Sequence, residues 1–221
     1  MDNNYFFVDG SAFLSDVRKT RSDIGLPPSA RLIIRSFVYF FTGTRFHQFH
    51  GGSYRRFVFY FVKNDERLRS TIELPDFTYP GVVSDIRIEY CGKRIHQYAQ
   101  ARTWLEEHSA PDYVQECLYR SEKAVDTQIC CDALQLAANG KLDRLFLYTN
   151  DYDFVPLCQT LRQLGANINL FRLLGDGVNK SLVSECDAFH AMHQSEVREY
   201  FTTEANPANP PEVGMSKNGL G

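Results

Sequence analysis

Paired-cysteine spacings, long apolar runs and a large charge excess of either sign are all lacking from this chain of 221 residues. The six cysteines (Cys91, Cys117, Cys130, Cys131, Cys158, Cys186) spell no CxxC pair, so reduced, mostly buried thiols are expected. Cys130 and Cys131 are adjacent in a helical pattern and badly placed to bond to each other. No stretch approaches the ~20 apolar residues of a membrane span. Met1-Asp-Asn-Asn lacks the basic start and apolar core of a signal peptide, so a soluble, cytoplasmic protein is expected. A formal charge of −3 exerts no global pull on a polyanion, and nucleic-acid binding would need a local basic patch.

Aromatic residues, in contrast, are abundant. Seventeen Phe and twelve Tyr in a chain that is 43% hydrophobic predict an aromatic core, and the length suits one α/β domain. Tyr5–Val8 is a first buried strand that stops at Asp9-Gly10-Ser11, with a brief helix after it. Pro27-Pro28-Ser29 marks a helix start with Ser29 as N-cap, followed by Leu32, Ile33, Phe37, Phe40 and Phe41 at helical spacing. Phe57–Val62 is apolar throughout, as a parallel strand buried on both faces would be. Ile86–Tyr90 alternates like a less buried strand, and 97–107 has a helical pattern. Further on come a helix from about Glu122 to Asn139, a strand Leu145–Thr149, a helix Phe154–Leu164 closed by Gly165, and a strand Ile168–Leu173. Asn179–Cys186 is a short helix, Ala188–Phe201 is expected to be another, and 202–221 has the composition of a disordered tail.

Between Thr44 and Arg56, Arg45, His47, His50, Arg55 and Arg56 alternate with Phe46, Phe49 and Tyr54. Rings among cations suit a single-stranded nucleic acid, while a surface loop with rings folded onto the core has the same composition. His47 and His50 have no Cys or acidic partner at a zinc-ligand spacing.

Alternating strands and helices imply a mostly parallel sheet, whose carboxyl edge is where such folds bind ligands. Asp9, Asp126, Asp151 and Asp153 each fall just after a strand or at a helix start, hence at that edge if their strands are neighbours. Two carboxylates about 5 Å apart repel by about 3 kcal/mol at an effective dielectric near 20. Such a cluster takes up protons or binds a cation, and oxygen-only donors favour Mg2+ or Mn2+. The same four positions are also ordinary capping positions, Asp153 before Phe154 especially.

Four segments, in their order, resemble the NYN domain of the PIN-like nucleases, and in particular its LabA-like (DUF88) branch. They are Tyr5-Phe-Phe-Val-Asp-Gly-Ser11, Glu122-Lys-Ala-Val-Asp126 with Asp132-Ala-Leu, Thr149-Asn-Asp-Tyr-Asp-Phe-Val-Pro156, and Leu161-Arg-Gln-Leu-Gly165. Lys180-Ser-Leu182 and Cys186-Asp-Ala-Phe189 fit the end of the pattern. The resemblance covers the first strand and roughly 122–189, leaving 44–120 atypical within a domain of 1–201. It implies a PIN-like three-layer α/β/α sandwich and cleavage of RNA, single-stranded by expectation, with Mg2+ or Mn2+. It carries catalytic and metal-binding roles to Asp9, Asp126, Asp151 and Asp153, and substrate contacts to Ser11, Lys123 and Asn150. Asp132 matches a further acidic position, and Asp187 one where a cap or supporting role is expected. Two positions depart from the pattern: Ala12 stands where Asn is usual, and Thr149-Asn150 replaces Ser-Gly. The alternative is a non-catalytic PIN-like module that binds RNA or a protein, with a homo-oligomer also open. A HAD-type phosphatase is disfavoured because Asp9-Gly-Ser11 lacks the second Asp of a DxD nucleophile.

Overall fold

The computed structural model describes residues 3–42, 54–63, 65–73, 86–94, 103–104, 107–109, 122–173, 177–192 and 194–202. The Thr44–Ser53 part of the aromatic and basic stretch, with His47 and His50, lies outside the described residues, as do most of 97–107 and the tail from 203.

The frame is a six-stranded, wholly parallel sheet in the order β10-β9-β8-β1-β3-β5. These strands are β1 (Asn4–Asp9), β3 (Tyr54–Phe61), β5 (Ile86–Tyr90), β8 (Arg144–Tyr148), β9 (Asn167–Arg172) and β10 (Ala188–Ala191). Two short pairs lie outside it: β2 (Leu32–Ile33) beside β4 (Ile72–Glu73), and β6 (Lys93–Arg94) antiparallel to β7 (Glu122–Lys123). The helices are α1 (Gly10–Asp23), α2 (Ile34–Thr42), α3 (Glu66–Thr71), α4 (Val125–Ala138), α5 (Val155–Gln163), α6 (Lys180–Ser184) and α7 (Gln194–Val197).

Period-two alternation in the central strands feeds two separate cores, because successive side chains point to opposite faces. Phe6 and Val8, Phe57, Phe59 and Phe61, and Phe146 and Tyr148 face α1 and α2. Phe7, Val58 and Tyr60, and Leu145 and Leu147 face α4 and α5. The layers are therefore α/β/α, as the PIN-like expectation required. The abundance of phenylalanine is concentrated on the first face. Phe6 stacks on Phe57 at 5.2 Å and on Phe146 at 6.0 Å, and Phe13 of α1 packs on Phe37, Phe59 and Tyr148. Offset and edge-on aromatic pairs of this kind contribute beyond the area they bury.

Local signals placed several boundaries correctly. Gly165 has φ +87° and closes α5, its N–H and that of Ala166 bonding back to Arg162 and Leu161. Elsewhere tertiary pairing overrode the pattern. α2 begins at Ile34, not after Ser29, because Leu32–Ile33 pairs with Ile72–Glu73 and Leu32 also bridges Phe201. Ala188–Ala191 is not helical: it is the edge strand β10, paired with Asn169–Arg172. The helix after β1 is not brief but spans fourteen residues. Tyr54–Arg56 is not loop but the start of β3, drawn into register by Asn4 and Tyr5. Thr202, placed in the tail by composition, exchanges hydrogen bonds with the Arg31 backbone.

Gly10 joins β1 to α1 where the backbone passes directly over β3. A Cβ there would fall inside van der Waals contact with the Tyr60 carbonyl oxygen and the Phe61 ring. Gly10→Ala should destabilise the fold by about 1–3 kcal/mol, the usual cost of overpacking, measured as a lowered urea midpoint at unchanged m-value.

Candidate active site

The strand order reverses at β1. The chain leaves β1 toward β3 and β5 on one side, then returns to β8, β9 and β10 on the other. α1 follows β1 on one face of the sheet, whereas α5 follows β8 on the opposite face. The two connections diverge and leave a crevice above β1 and β8, the switch point at which open α/β sheets bind ligands.

Asp9 sits at this point. It is the last residue of β1 and the N-cap of α1, with Oδ1 accepting from the N–H groups of Ser11 (3.0 Å) and Ala12 (3.3 Å). Its other oxygen, Oδ2, accepts from the hydroxyl of Thr149 at 3.0 Å. Asp9 is 6% exposed, and these donors offset the cost of burying its polar oxygens. Thr149, wholly buried at the end of β8, also accepts from the Asp151 N–H at 3.2 Å. Asp151 Oδ1 in turn accepts from the Asp153 N–H at 2.9 Å. One hydroxyl thus joins the acidic ends of the two strands that flank the crevice.

Asp151, rather than Asp153, is the capping residue here: it caps the short 3-10 turn Tyr152–Phe154, and α5 has no side-chain cap. Asp151 and Asp153 are exposed. Asp126 is exposed in the first turn of α4, and its negative charge is felt by Cys91 and Cys130. Among the described residues, no three His, Cys, Asp or Glu side chains are grouped closely enough to hold a metal ion. The donors nevertheless suit a hard cation in kind. Magnesium commonly uses one or two carboxylates and keeps several waters, and Asp9 and Asp151 are oxygen donors of that kind.

Of the expected substrate contacts, Ser11 borders the site and its hydroxyl accepts from Arg67 Nη2 at 3.2 Å. Asn150 spans outward, donating to the Gly177 carbonyl and accepting from the Asn179 N–H, and so holds the 177–179 loop beside the crevice. Lys123 lies in β7, and its side chain is outside the described residues. Asp187 is a support, accepting the Ile168 N–H at 2.7 Å.

Sequence reasoning missed two parts of the site. Asp65 caps α3 and binds Arg67 through both carboxylate oxygens, which delivers the guanidinium to Ser11. Behind the crevice, Asp16 of α1 binds Arg172 of β9 through two bonds of 2.6–2.7 Å and accepts from the Tyr148 hydroxyl at 2.6 Å. This nearly buried group clamps α1 to β8 and β9 next to Thr149. Asp65 and Arg67 are separated by one residue and were detectable as an Asp N-cap, but Asp16, Tyr148 and Arg172 have no common sequence signal.

Asp132 has a more specific place than a helix surface. It accepts from the Tyr60 hydroxyl and from Gln128 Nε2, both at 2.8 Å. It lines a cavity of about 430 Å3 between α4 and strands β1, β3 and β5, together with Arg56, Arg87, Glu89 and Cys91. Burial, then Asp132, holds the Tyr60 phenol neutral at all ordinary pH. Burial, followed by Glu89 and Asp132, pushes the Cys91 thiol up to about 11.

An α/β/α domain with carboxylates at the carboxyl-edge switch point of a parallel sheet is of the PIN-like nuclease type. The chain belongs to the NYN domain family, whose model matches residues 53–193. The match includes the 53–119 stretch that the motif resemblance left out, and it begins after Asp9, which β1 pairing brings to the site. No curated protein matches the chain. Among solved structures, a protein of unknown function from Vibrio parahaemolyticus aligns with a TM-score of 0.47 at 14% identity, over 86% of this chain and 93% of its own. No helix among the described residues is long and apolar enough to cross a membrane.

Two outcomes are expected from this geometry. Thr149→Val should cost about 1–3 kcal/mol by leaving a buried Asp9 oxygen without its donor, whereas Thr149→Ser should restore most of it; thermal unfolding of both variants checks this. The Cys91 thiol should alkylate far more slowly than glutathione at pH 8, and should gain reactivity only as pH approaches about 11. Peptide mass spectrometry after iodoacetamide pulses would report it.

Proposed function

We propose that the chain is a divalent-metal-dependent ribonuclease acting on single-stranded RNA. The observation that carries this reading is the chain of hydrogen bonds from Asp9 through Thr149 to Asp151, in a family of nuclease-type domains. Asp9 and Asp151 would hold Mg2+ or Mn2+, with Asp126 and Asp153 acting directly or through water. When bound, such an ion lowers the pKa of a coordinated water and steadies charge on a phosphoryl oxygen. Thr149 orients Asp9 by donating to its Oδ2. Ser11, held by Arg67 behind it, offers a hydroxyl donor to a phosphate on the α1 side. Lys123 would meet a neighbouring phosphate, and Asn150 fixes the loop that forms the far wall. The LabA-like branch is where the motifs point.

The commitment of Asp9 to three donors inside the fold favours a second reading, a PIN-like module that binds RNA or a protein without cleaving. Purified protein with end-labelled single-stranded RNA, in Mn2+, Mg2+ and EDTA, separates the two. The nuclease reading expects metal-dependent products that fall roughly a hundredfold or more in Asp151→Asn, the scale of losing one pre-organised electrostatic contact. Asn keeps the Oδ1 that accepts the Asp153 N–H, so Asp151→Asn should melt like wild type. Cleavage by this variant at the wild-type rate would remove Asp151 from the mechanism, and RNA bound but never cut would leave the binding module.

A further inference from the structure

Two cavities meet at one exposed ring. Tyr90, the last residue of the edge strand β5, is 44% exposed, one of four large apolar side chains left in solvent among the described residues. On one side it borders an open cavity of about 230 Å3 with Lys63, Asp65, Leu68 and Arg69. On the other it borders the larger cavity that contains Arg56, Arg87, Gln128 and Asp132. Lys63 and Arg69 are exposed and, among the described residues, have no acidic partner. Asp65 is occupied by Arg67, so it does not neutralise them.

The register places this ring relative to the catalytic edge. Asp9 pairs with Tyr60, and Phe61 pairs with Tyr90, so Tyr90 lies two strands from β1 at the same carboxyl edge. Strand spacing makes that about 10 Å from Asp9. An exposed aromatic face beside two cations that have no acidic partner among the described residues is the combination that binds single strands: bases stack on the ring and phosphates follow the charges. A duplex keeps its bases stacked on each other and offers none to the ring.

We infer that Tyr90 is a base-stacking platform for single-stranded RNA, with Lys63 and Arg69 on the adjoining phosphates, and that it guides the strand along the β5 edge to Asp9. The inference deepens the ribonuclease reading and rests on it for the direction of the strand, but the binding itself needs no catalysis. The thirteen-residue Thr44–Arg56 stretch is not required for it.

The test is fluorescence anisotropy with the full chain and a short fluorescein-labelled single-stranded RNA of mixed sequence, in EDTA to prevent cleavage, beside the same RNA annealed to its complement. Tyr90→Ala should weaken single-strand binding about tenfold or more, as loss of one base–aromatic stack does, and Tyr90→Phe should bind like wild type. The double change Lys63→Ala with Arg69→Ala should flatten the slope of log affinity against log salt by about 1.4, the value for two phosphates on a single strand. All three side chains are solvent-facing, and circular dichroism should show each variant folded. Unchanged affinity in Tyr90→Ala, equal preference for the duplex, or no binding by the wild type would each overturn the inference. Tyr90-dependent binding without cleavage under any metal would uphold it while removing the nuclease reading. Metal-dependent cleavage with a KM unaffected by Tyr90→Ala would do the reverse.

Discussion

A buried carboxylate at the centre of the sheet is the constraint on which this domain turns. Asp9 is nearly inaccessible to water, and an ionised carboxylate in such a place is costly unless donors surround it. Here the donors come from two elements, the first turn of α1 and the end of β8. The carboxylate therefore starts a helix, favourably placed against the positive end of its dipole, and at the same time holds two strands in register at their carboxyl ends. Gly10 is the steric counterpart. The helix can leave β1 at once, over the Tyr60 carbonyl, only because that residue has no side chain.

The rest of the site is arranged around this anchor. Thr149 passes the connection to Asp151 through a single hydroxyl that donates on one side and accepts on the other. The residue before it, Tyr148, is fixed by Asp16 and by the Leu173 N–H, and Asp16 is fixed by Arg172. Breaking such a buried pair leaves an uncompensated charge, which is why groups like this hold geometry even where their net stabilisation is small. Asp9 and Thr149 are thus buried and hydrogen-bonded, whereas Asp126, Asp151 and Asp153 are exposed to solvent. Buried support below and accessible charge above are what the proposed ribonuclease reading draws on.

The two faces of the sheet have different work. The α1 face is filled mainly by stacked phenylalanines, interrupted by the Asp16–Arg172–Tyr148 group. The α4 face gives way, beyond β3, to a polar cavity in which Tyr60, Asp132, Glu89 and Arg87 face one another. This asymmetry follows from where α4 lies: it packs on β1 and β3, and β5 projects past it with half-buried side chains.

Much of this was present in the chain order of residue types. The short apolar runs Tyr5–Val8 and Leu145–Thr149, the longer apolar run of β3, the helical period from Val125 and the glycine after α5 are local properties, and local sterics and burial suffice to read them. The four acidic positions were visible for the same reason, each following a strand or opening a helix. What the residues could not reveal was which strands become neighbours, because hydrogen bonds between strands depend on partners far away in the chain. That choice made Leu32–Ile33 and Ala188–Ala191 strands against their local pattern, moved Tyr54–Arg56 into β3, and joined Asp16 to Arg172 across 156 residues. It also decided that Thr149 would lie against Asp9, so that two separate acidic motifs became one site. Sequence by itself determined most of the central elements and put acidic residues at their ends, since both follow from neighbouring residues. The tertiary structure alone decided the register, and with it which of those ends meet.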